Sequence, residues 1–501
     1  MRYIMITNLL YAMNSSKSHC RRISILQMLD SEPEGLAVRE ISETLEVSKV
    51  TIVADIKHLR RELAPRQVQI LAEDDRYKLE YPDWFNSDLL CNLLNMNELP
   101  YIIMENAVMG REMDINKATV LYQVSRTKLM AVLEHMNTEL SRFSVKISLK
   151  NLTLEGREAD VRFVYFVFFS FLSDGSSLYA ESAALADYMI KEQKKRFKQP
   201  LNLNFSNLSI HLAITALRWR NHCYIELPDE AIVEFKACED YVEASQIVEQ
   251  IYKRLYPHGN AVTIPETEKY WIWISALYHT SYVVREESYI PDYPAKSKSK
   301  VFLESLNFLL KDKEDGEEKS ILSLYLYNIM VLGTMTRNYE RILPSLKKAI
   351  KLSHQEKFVY WLDLLNQQQE ETVFYFEHKE DVAASLALIQ ANLERKTYMN
   401  DLDEIHIVVA LQGQPGLEQY IIDVAKDVLP QDAAIKFYLD EPVTQREINQ
   451  FGPCLIVSNF LLNESLKTEA HVVTMSKIPK LTDWGRMREA INKIHKFKRT
   501  L

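Results

Sequence analysis

Residues 36–63, LAVREISETLEVSKVTIVADIKHLRREL, contain two amphipathic segments joined by a short turn. Residues 36–45 predict a short helix, residues 46–48 a turn, and Lys49–Leu63 a longer helix whose N-terminus Ser48 can cap. The spacing of its apolar residues predicts one buried stripe. The stripe consists of Val53, Ile56, Leu59 and Leu63.

The flanking sequence completes a recognisable unit. Residues 19–30 predict a preceding helix, and residues 68–81 predict two short strands around a polar turn. Three helices and a hairpin indicate a winged helix-turn-helix over residues 1–82, and its third helix is of the kind that enters a DNA major groove. Periodicity alone is equally compatible with a helical hairpin that has a solvated charged face. The candidate DNA contacts are Ser48, Lys49, Thr51, Asp55, His58 and Arg61.

The pattern recurs over residues 83–155. A long helical segment over 87–109 contains Pro100, residues 115–122 predict a short helix, and residues 126–143 predict a second reading helix after a turn at 123–125. Residues 145–154 would form the wing, from which Lys146 and Lys150 could contact phosphate. The candidate DNA contacts are Ser125, Arg126, Thr127 and Lys128. Two readers in one chain would span adjacent major grooves.

The length, charge and motif content of the chain exclude several classes of protein. A length of 501 residues predicts three or four domains, and 60 basic against 69 acidic side chains give a net charge of −9. The whole surface therefore cannot be a basic nucleic-acid coat, although a local basic face can exist. The sequence shows no metal-ligand spacing, nucleophile elbow or Walker loop, so we expect neither an enzyme nor a bound cofactor or metal.

The cysteines and the apolar runs indicate the cellular compartment in which we expect the protein. Five cysteines without a CxxC pair disfavour a disulfide framework and indicate a reducing cytoplasm. The longest apolar run, residues 163–172, has about half the ~20 residues needed to span a bilayer, so we expect a buried helix and no membrane contact. The N-terminus does not resemble a signal peptide, and Met13 is a second candidate start.

The tandem helix-turn-helix modules resemble the Mga/AtxA family of bacterial virulence regulators. Residues 156–290 resemble a PRD, a regulatory domain that phosphotransferase systems phosphorylate on histidine, because residues 203–228 carry its Leu-x-x-His segment and terminal Arg. The resemblance implies phosphorylation at His211 and, less closely placed, His279. Arg218 follows His211 at i+7 and could pair with the phosphate. Spacing alone favours a simpler interpretation, in which His211 is a surface or helix-interface histidine whose ring nitrogens have hydrogen-bond partners within the protein.

Residues 297–501 also resemble domains of the Mga/AtxA family. Residues 297–395 resemble a second PRD in which Asn328 occupies the histidine position, with His354 and His378 as alternatives. Residues 402–501 alternate strands and helices and resemble the EIIB-like domain that ends the same family. Its loop at 411–416 lacks the cysteine of active EIIB domains, which implies a non-catalytic domain used for dimerisation.

These observations predict a multidomain, mainly α fold: two N-terminal winged helix-turn-helix modules, two helical PRD-like domains and a C-terminal α/β EIIB-like domain. The expected function is a transcriptional regulator, an activator by resemblance, that binds double-stranded DNA as a homodimer. A phosphotransferase phosphocarrier (HPr or an EII component) would modulate it. The alternatives are a phosphorylation-sensing interaction protein with degenerate readers, and an antiterminator, which the winged helices disfavour because duplex RNA hides its major groove.

Overall fold

The N-terminal module has its own small core. The computed structural model describes residues 9–490 except 74, 83–90, 93, 171–176, 256–264, 283–289, 369–372, 396–404, 413–416, 430–432, 440, 442, 447–454, 461, 463–470, 478, 481 and 488–489. The module's elements are α1 (Leu9–Ala12), α2 (Lys17–Ser31), β1 (Leu36–Ala37), α3 (Val38–Leu45), α4 (Lys49–Leu63), β2 (Gln69–Glu73) and β3 (Arg76–Glu80). The antiparallel strands lie in the order β1-β3-β2. The predicted helices, turn and hairpin are therefore confirmed.

One prediction about α4 is wrong. Its buried stripe contains Ile52 in place of Val53, since Ile52 is fully buried and Val53 is 45% exposed. Ile52, Ile56 and Leu59 follow the i, i+4, i+7 spacing that keeps residues on one helical face. Val53, Ile56 and Leu59 are spaced by three residues, which is less than the 3.6 residues of one helical turn. Each therefore lies further around the helix than the one before it.

The second module repeats the arrangement in smaller form. It contains α5 (Leu99–Val108), α6 (Ile115–Leu121), α7 (Arg126–Leu140), β4 (Lys146–Ile147) and β5 (Leu154–Glu155). Pro100 lies in the first turn of α5, where its missing N–H removes no helical hydrogen bond. The spacing of the apolar residues in α7 predicts an inward face, and the structure buries all five of them, Leu129, Val132, Leu133, Met136 and Leu140.

A helical region forms the middle of the molecule. Its first helices are α8 (Glu158–Phe169), α9 (Ser177–Arg196), α10 (Phe205–Arg220), α11 (Asp229–Ala237), α12 (Tyr241–Leu255) and α13 (Glu266–Ala276). The remaining ones are α14 (Lys300–Leu309), α15 (Glu317–Met335), α16 (Pro344–Ser353), α17 (Gln355–Asn366) and α18 (Lys379–Arg395). Helix α8 is buried on all sides, as its apolar run predicts. None of the helices in the described part of the chain is long and apolar enough to cross a bilayer.

Residues 290–300, which composition suggests to be a linker, are packed against the helical region. The Tyr293 hydroxyl donates to the side-chain oxygen of Asn328 over 2.9 Å, and the Ser297 hydroxyl donates to Glu234 over 2.9 Å. Buried Tyr and Ser side chains find hydrogen-bond partners in this way. Residues 293–297 thus contact both halves of the helical region, through Glu234 on α11 and Asn328 on α15.

The C-terminal residues form a parallel sheet. Strands β6 (Ile405–Leu411), β7 (Ala433–Leu439), β8 (Leu455–Ser458) and β9 (His471–Thr474) lie in the order β7-β6-β8-β9, and α19 (Leu417–Val428) connects the first two. All three strand pairs are parallel. The strands expected within residues 402–501 are confirmed. Residues 444–450 and 484–496, whose sequence predicts helices, lie for the greater part outside the described residues, as do Cys454 and residues 413–416.

Most of the buried side chains form one large core. It extends from α1 through the second module and the helical region to one face of the C-terminal sheet, whereas the remainder of the N-terminal module and the other face of the sheet have separate clusters. A multidomain, mainly helical fold is therefore confirmed. The second module and the helical region share a core.

Candidate nucleic-acid interface

The first reading helix, α4, is held by its cap and by its apolar stripe. The Ser48 hydroxyl accepts from the Thr51 backbone N–H over 3.2 Å and lies 2.8 Å from the Thr51 hydroxyl. A side-chain oxygen at this position satisfies one of the free N–H groups of the first turn. The cap leaves Ser48 exposed and Thr51 half-buried.

The outer face of α4 is basic and apolar. Its exposed residues include Lys49, Val50, Val53, Ala54, Lys57 and Arg61. Lys49, Lys57 and Arg61 have no carboxylate within ion-pair distance among the residues that the structure describes. Such cations are available to phosphate. The sequence does not predict Val50, Val53 and Ala54 as DNA contacts. Its apolar pattern assigns Val53 to the core.

Asp55 is a correction to the predicted DNA contacts. It is buried, and its carboxylate lies 2.5 Å from Nε of Arg21 on α2. A buried carboxylate needs a charged or hydrogen-bonding partner, which Arg21 supplies by joining α2 to α4. Asp55 therefore stabilises the module and does not face outward.

His58 and Arg60 occupy the second half of α4. His58 is exposed, and its Nε2 lies 3.3 Å from the Glu62 carboxylate one turn later. Arg60 donates from Nε to the Ile70 carbonyl over 2.7 Å, and its guanidinium lies 5.3 Å from the centre of the Tyr77 ring. Arg60 thus connects the helix to the hairpin, so only part of the positive charge on α4 is free.

The second reading helix, α7, begins in the same way. The Ser125 hydroxyl accepts from the Lys128 backbone N–H over 3.2 Å. Arg126 donates to the side-chain oxygen of Asn116 over 3.0 Å, which directs its guanidinium along α6. The four predicted contacts, Ser125, Arg126, Thr127 and Lys128, are all exposed.

The wing of the second module has one paired and one exposed lysine. Lys146 lies 3.4 Å from the Glu155 carboxylate across the two strands, whereas Lys150 is exposed in the turn between them. A surface ion pair of this kind is weak, about 0–1 kcal/mol. Lys150 is therefore the wing lysine better placed for phosphate.

A histidine joins the two modules. His19 on α2 lies 2.9 Å from the Asn95 side-chain oxygen and 3.0 Å from the Glu98 carboxylate, which precedes α5. The hydrogen bond from His19 lowers the pKa of Glu98. This contact joins α2 of the first module to the residues that precede α5 of the second. No sequence pattern indicates it, because the partners are more than 70 positions apart.

The predicted phosphorylation sites come together in the helical core. His211 on α10 and His279 after α13 are both buried, and their ring centres lie 5.3 Å apart. Phe166 lies 5.2 Å from His279, and Trp271 lies 5.4 Å from His211. The sequence singled out both histidines separately, and their proximity could not be predicted because they lie on different elements.

Neither imidazole has the exposure that phosphorylation requires. Nε2 of His211 and both ring nitrogens of His279 lack hydrogen-bond partners within the described residues. Burial, reinforced by the charges of His279 and Arg162, lowers the pKa of His211 well below its usual value. Burial lowers the pKa of His279 to about 3. Both rings are consequently neutral at physiological pH.

Arg218 is not the predicted phosphate partner. Its guanidinium forms two hydrogen bonds to the Glu158 carboxylate, over 2.9 and 2.8 Å, and it is almost fully buried. Such a bidentate pair occupies the fork that would hold a phosphate. The neighbouring Arg162 is similarly engaged with Glu268 over 2.8 Å.

Asn328 lies in the second half of the helical region, at the position where the PRD resemblance implies a histidine. Asn328 is buried and donates to the hydroxyls of Tyr282, over 3.1 Å, and Thr280, over 3.4 Å. These contacts give Asn328 a structural role next to His279. His354 and His378, the alternative sites, are partly exposed at the ends of different helices.

The described residues offer little for metal chemistry. No group of three or more His, Cys, Asp or Glu side chains within them is arranged to hold a metal ion. The histidine pair alone supplies two ligands, fewer than zinc normally takes from a protein.

Comparisons with known proteins identify both N-terminal modules. Residues 85–169 match the family model of the Mga helix-turn-helix domain, which covers α5–α7, the wing and α8. Residues 21–76 match a helix-turn-helix domain model, which covers α2–α4 and the first part of the hairpin. No curated protein matches the chain.

Proposed function

We infer from these two matches that the chain is a Mga-type helix-turn-helix regulator, and we propose that both modules read one DNA duplex. Helix-turn-helix domains bind DNA, so a DNA-binding transcriptional regulator is the function that the fold supports. The observation that carries the two-reader proposal is their shared geometry. Each reading helix begins at a serine cap with an exposed basic first turn, and His19 joins the modules.

The mechanism follows from helix electrostatics. The N-terminal turns of α4 and α7 carry the positive end of the helix dipole together with Lys49, Arg126 and Lys128. Phosphate contacts there would fix the orientation of each helix, so that the outward side chains of the next turns meet base edges. The wing lysine Lys150 would add a further phosphate contact.

The test is a titration of promoter-length duplex with the full chain at two salt concentrations. We expect Lys49→Ala and Arg126→Ala each to weaken binding and to reduce the slope of log affinity against log salt by about 1. Lys300→Ala is the matched control, because this exposed lysine lies on α14 in the helical region. Salt-independent binding, or variants indistinguishable from the control, would favour an interaction protein with degenerate readers.

We further propose that the helical region is a PRD-like regulatory unit in which a phosphotransferase phosphocarrier, HPr or an EII component, phosphorylates His211 and His279. Their neutral rings are the nucleophilic form, but the transfer requires α10 to separate from α8 and α13. That opening would be the conformational switch. Incubation with a phosphorylated phosphocarrier should give acid-labile label that is lost in His211→Ala/His279→Ala. Equal labelling of that double variant would place the phosphate elsewhere.

The remaining proposals concern assembly. We propose that the chain acts in the cytoplasm as a transcription activator without enzymatic activity, and that its EIIB-like C-terminal domain forms a homodimer. The parallel order β7-β6-β8-β9 is compatible with such a domain. Sedimentation of the full chain should give twice the chain mass at micromolar concentration. A monomer at that concentration would contradict the dimer.

A further inference from the structure

We propose that the first module recognises thymine through its C5-methyl group, with Val50 and Val53 as the contacting residues. This inference rests on the proposed DNA binding and names the base that α4 reads. Val50 is 79% exposed and Val53 is 45% exposed, in the first two turns of the reading helix. They lie three positions apart, on neighbouring parts of the outer face.

The fold does not require these valines. The buried stripe of α4 is complete with Ile52, Ile56, Leu59 and Leu63. Valine is also a poorer helix former than alanine, because its branched side chain loses rotamer freedom in a helix. An exposed valine pair therefore makes the helix slightly less stable and contributes nothing to its core.

The surrounding charges favour DNA over a protein partner. The exposed cations Lys49 and Lys57 flank the valine pair on the same helix, without a carboxylate partner in the described chain. The acidic residue of this segment, Asp55, is turned inward onto Arg21. The apolar pair is thus surrounded by free positive charge, as expected for a surface that approaches a polyanion.

The inward turn of Asp55 also limits what α4 can read. Adenine and cytosine are recognised in the major groove by amide or carboxylate side chains, and the first two turns of α4 expose none. Thymine is the base whose major-groove edge carries a methyl group, which apolar side chains contact. A separation of three residues spans about 4.5 Å along the helix, comparable with the 3.4 Å between successive base pairs.

The second module provides an internal comparison. Counting from the serine caps Ser48 and Ser125, the positions of Val50 and Val53 correspond to Thr127 and Met130. Met130 is only partly exposed, packed against the large core. The exposed valine pair is therefore a property of α4, and the methyl recognition proposed for this pair belongs to the first module.

The experiment compares one promoter duplex amplified either with thymine or with uracil, which keeps the hydrogen-bonding groups and removes the methyl. Wild-type full chain should bind the uracil duplex about fourfold more weakly for each methyl group that the valines bury. Val50→Ala/Val53→Ala should bind both duplexes equally, with about the affinity of wild type for uracil DNA. Val242→Ala, an exposed valine on α12, should discriminate as wild type does.

Three results of this experiment would each contradict a proposal. Equal binding of both duplexes by wild type would overturn the methyl assignment and leave DNA binding intact. Unchanged discrimination by the double variant would also overturn it, since other residues would then contact the methyls. Binding of neither duplex would contradict the proposed function itself. A thermal melt of the double variant at or above the wild-type midpoint shows that the fold is retained.

Discussion

The neutral rings of His211 and His279 make the helical core sensitive to acid. Both folded-state pKa values lie below the ordinary value of 6.5, that of His279 at about 3. Their contribution to stability is therefore complete above pH 6.5. It is lost as the pH falls from 6.5 towards 3, because the unfolded chain gains protons that the folded chain does not.

The first prediction concerns His279→Leu. Between pH 7.5 and pH 5.0, the buried His279 should account for about 2 kcal/mol of the unfolding free energy that wild type loses, so the variant should lose about 2 kcal/mol less. The loss is measured by denaturant unfolding at both pH values. The control Val242→Ala, which changes an exposed side chain without a titratable group, should lose as much as wild type. Equal losses in wild type and His279→Leu would contradict the burial of His279.

Asp55 and Lys57 are near neighbours on α4 with opposite expected roles. Asp55→Ala removes the partner of a partly buried arginine and should destabilise the first module by about 1–3 kcal/mol. Lys57→Ala should leave stability within about 0.5 kcal/mol and weaken DNA binding. Thermal unfolding and duplex titration of both variants test the assignment. It would be wrong if Asp55→Ala melts normally and loses only DNA affinity.

At the scale of elements, we propose that the contact of His19 with Glu98 couples the two modules when they bind one duplex. His19→Leu should remove the hydrogen bonds to Asn95 and Glu98, so the second reader no longer benefits from a fixed distance to the first. We expect at least about a tenfold loss in affinity for a duplex that occupies both modules. A variant with wild-type affinity would mean that the modules bind independently of this contact.

Elements are also the scale at which sequence patterns were most informative. The capped helices α4 and α7, the hairpin and the parallel strands could be predicted because each follows a local rule of capping or periodicity. The sequence could not predict which residues of α4 face the core, because Ile52 and Val53 are adjacent apolar residues and either can begin the buried stripe. The inward turn of Asp55 depends on Arg21, which lies on another helix.

At the scale of the whole molecule, the C-terminal domain contacts the first reader. Lys480 lies 2.9 Å from the Asp30 carboxylate on α2, and the Tyr81 hydroxyl donates to the same carboxylate. The guanidinium of Arg486 lies 5.2 Å from the centre of the Tyr81 ring. Asp30 and Lys480 are 450 positions apart, so no local pattern could have predicted the pairing.

This contact gives a prediction of coupling. Lys480→Ala leaves a nearly buried carboxylate with less compensation, and should lower the stability of the first module by about 1–3 kcal/mol. Hydrogen exchange of the α2 amides should become faster in the variant. Lys300→Ala should leave that exchange unchanged. Identical exchange rates in both variants would mean that the C-terminal domain does not stabilise the reader.

We propose that both modules occupy the major groove of one duplex, which dimethyl sulfate protection of guanine N7, a major-groove atom, can test on promoter DNA bound by the full chain. We expect two protected patches about one helical turn apart, of which Lys49→Ala weakens one and Arg126→Ala the other. A single patch, or binding without major-groove protection, would contradict this proposal.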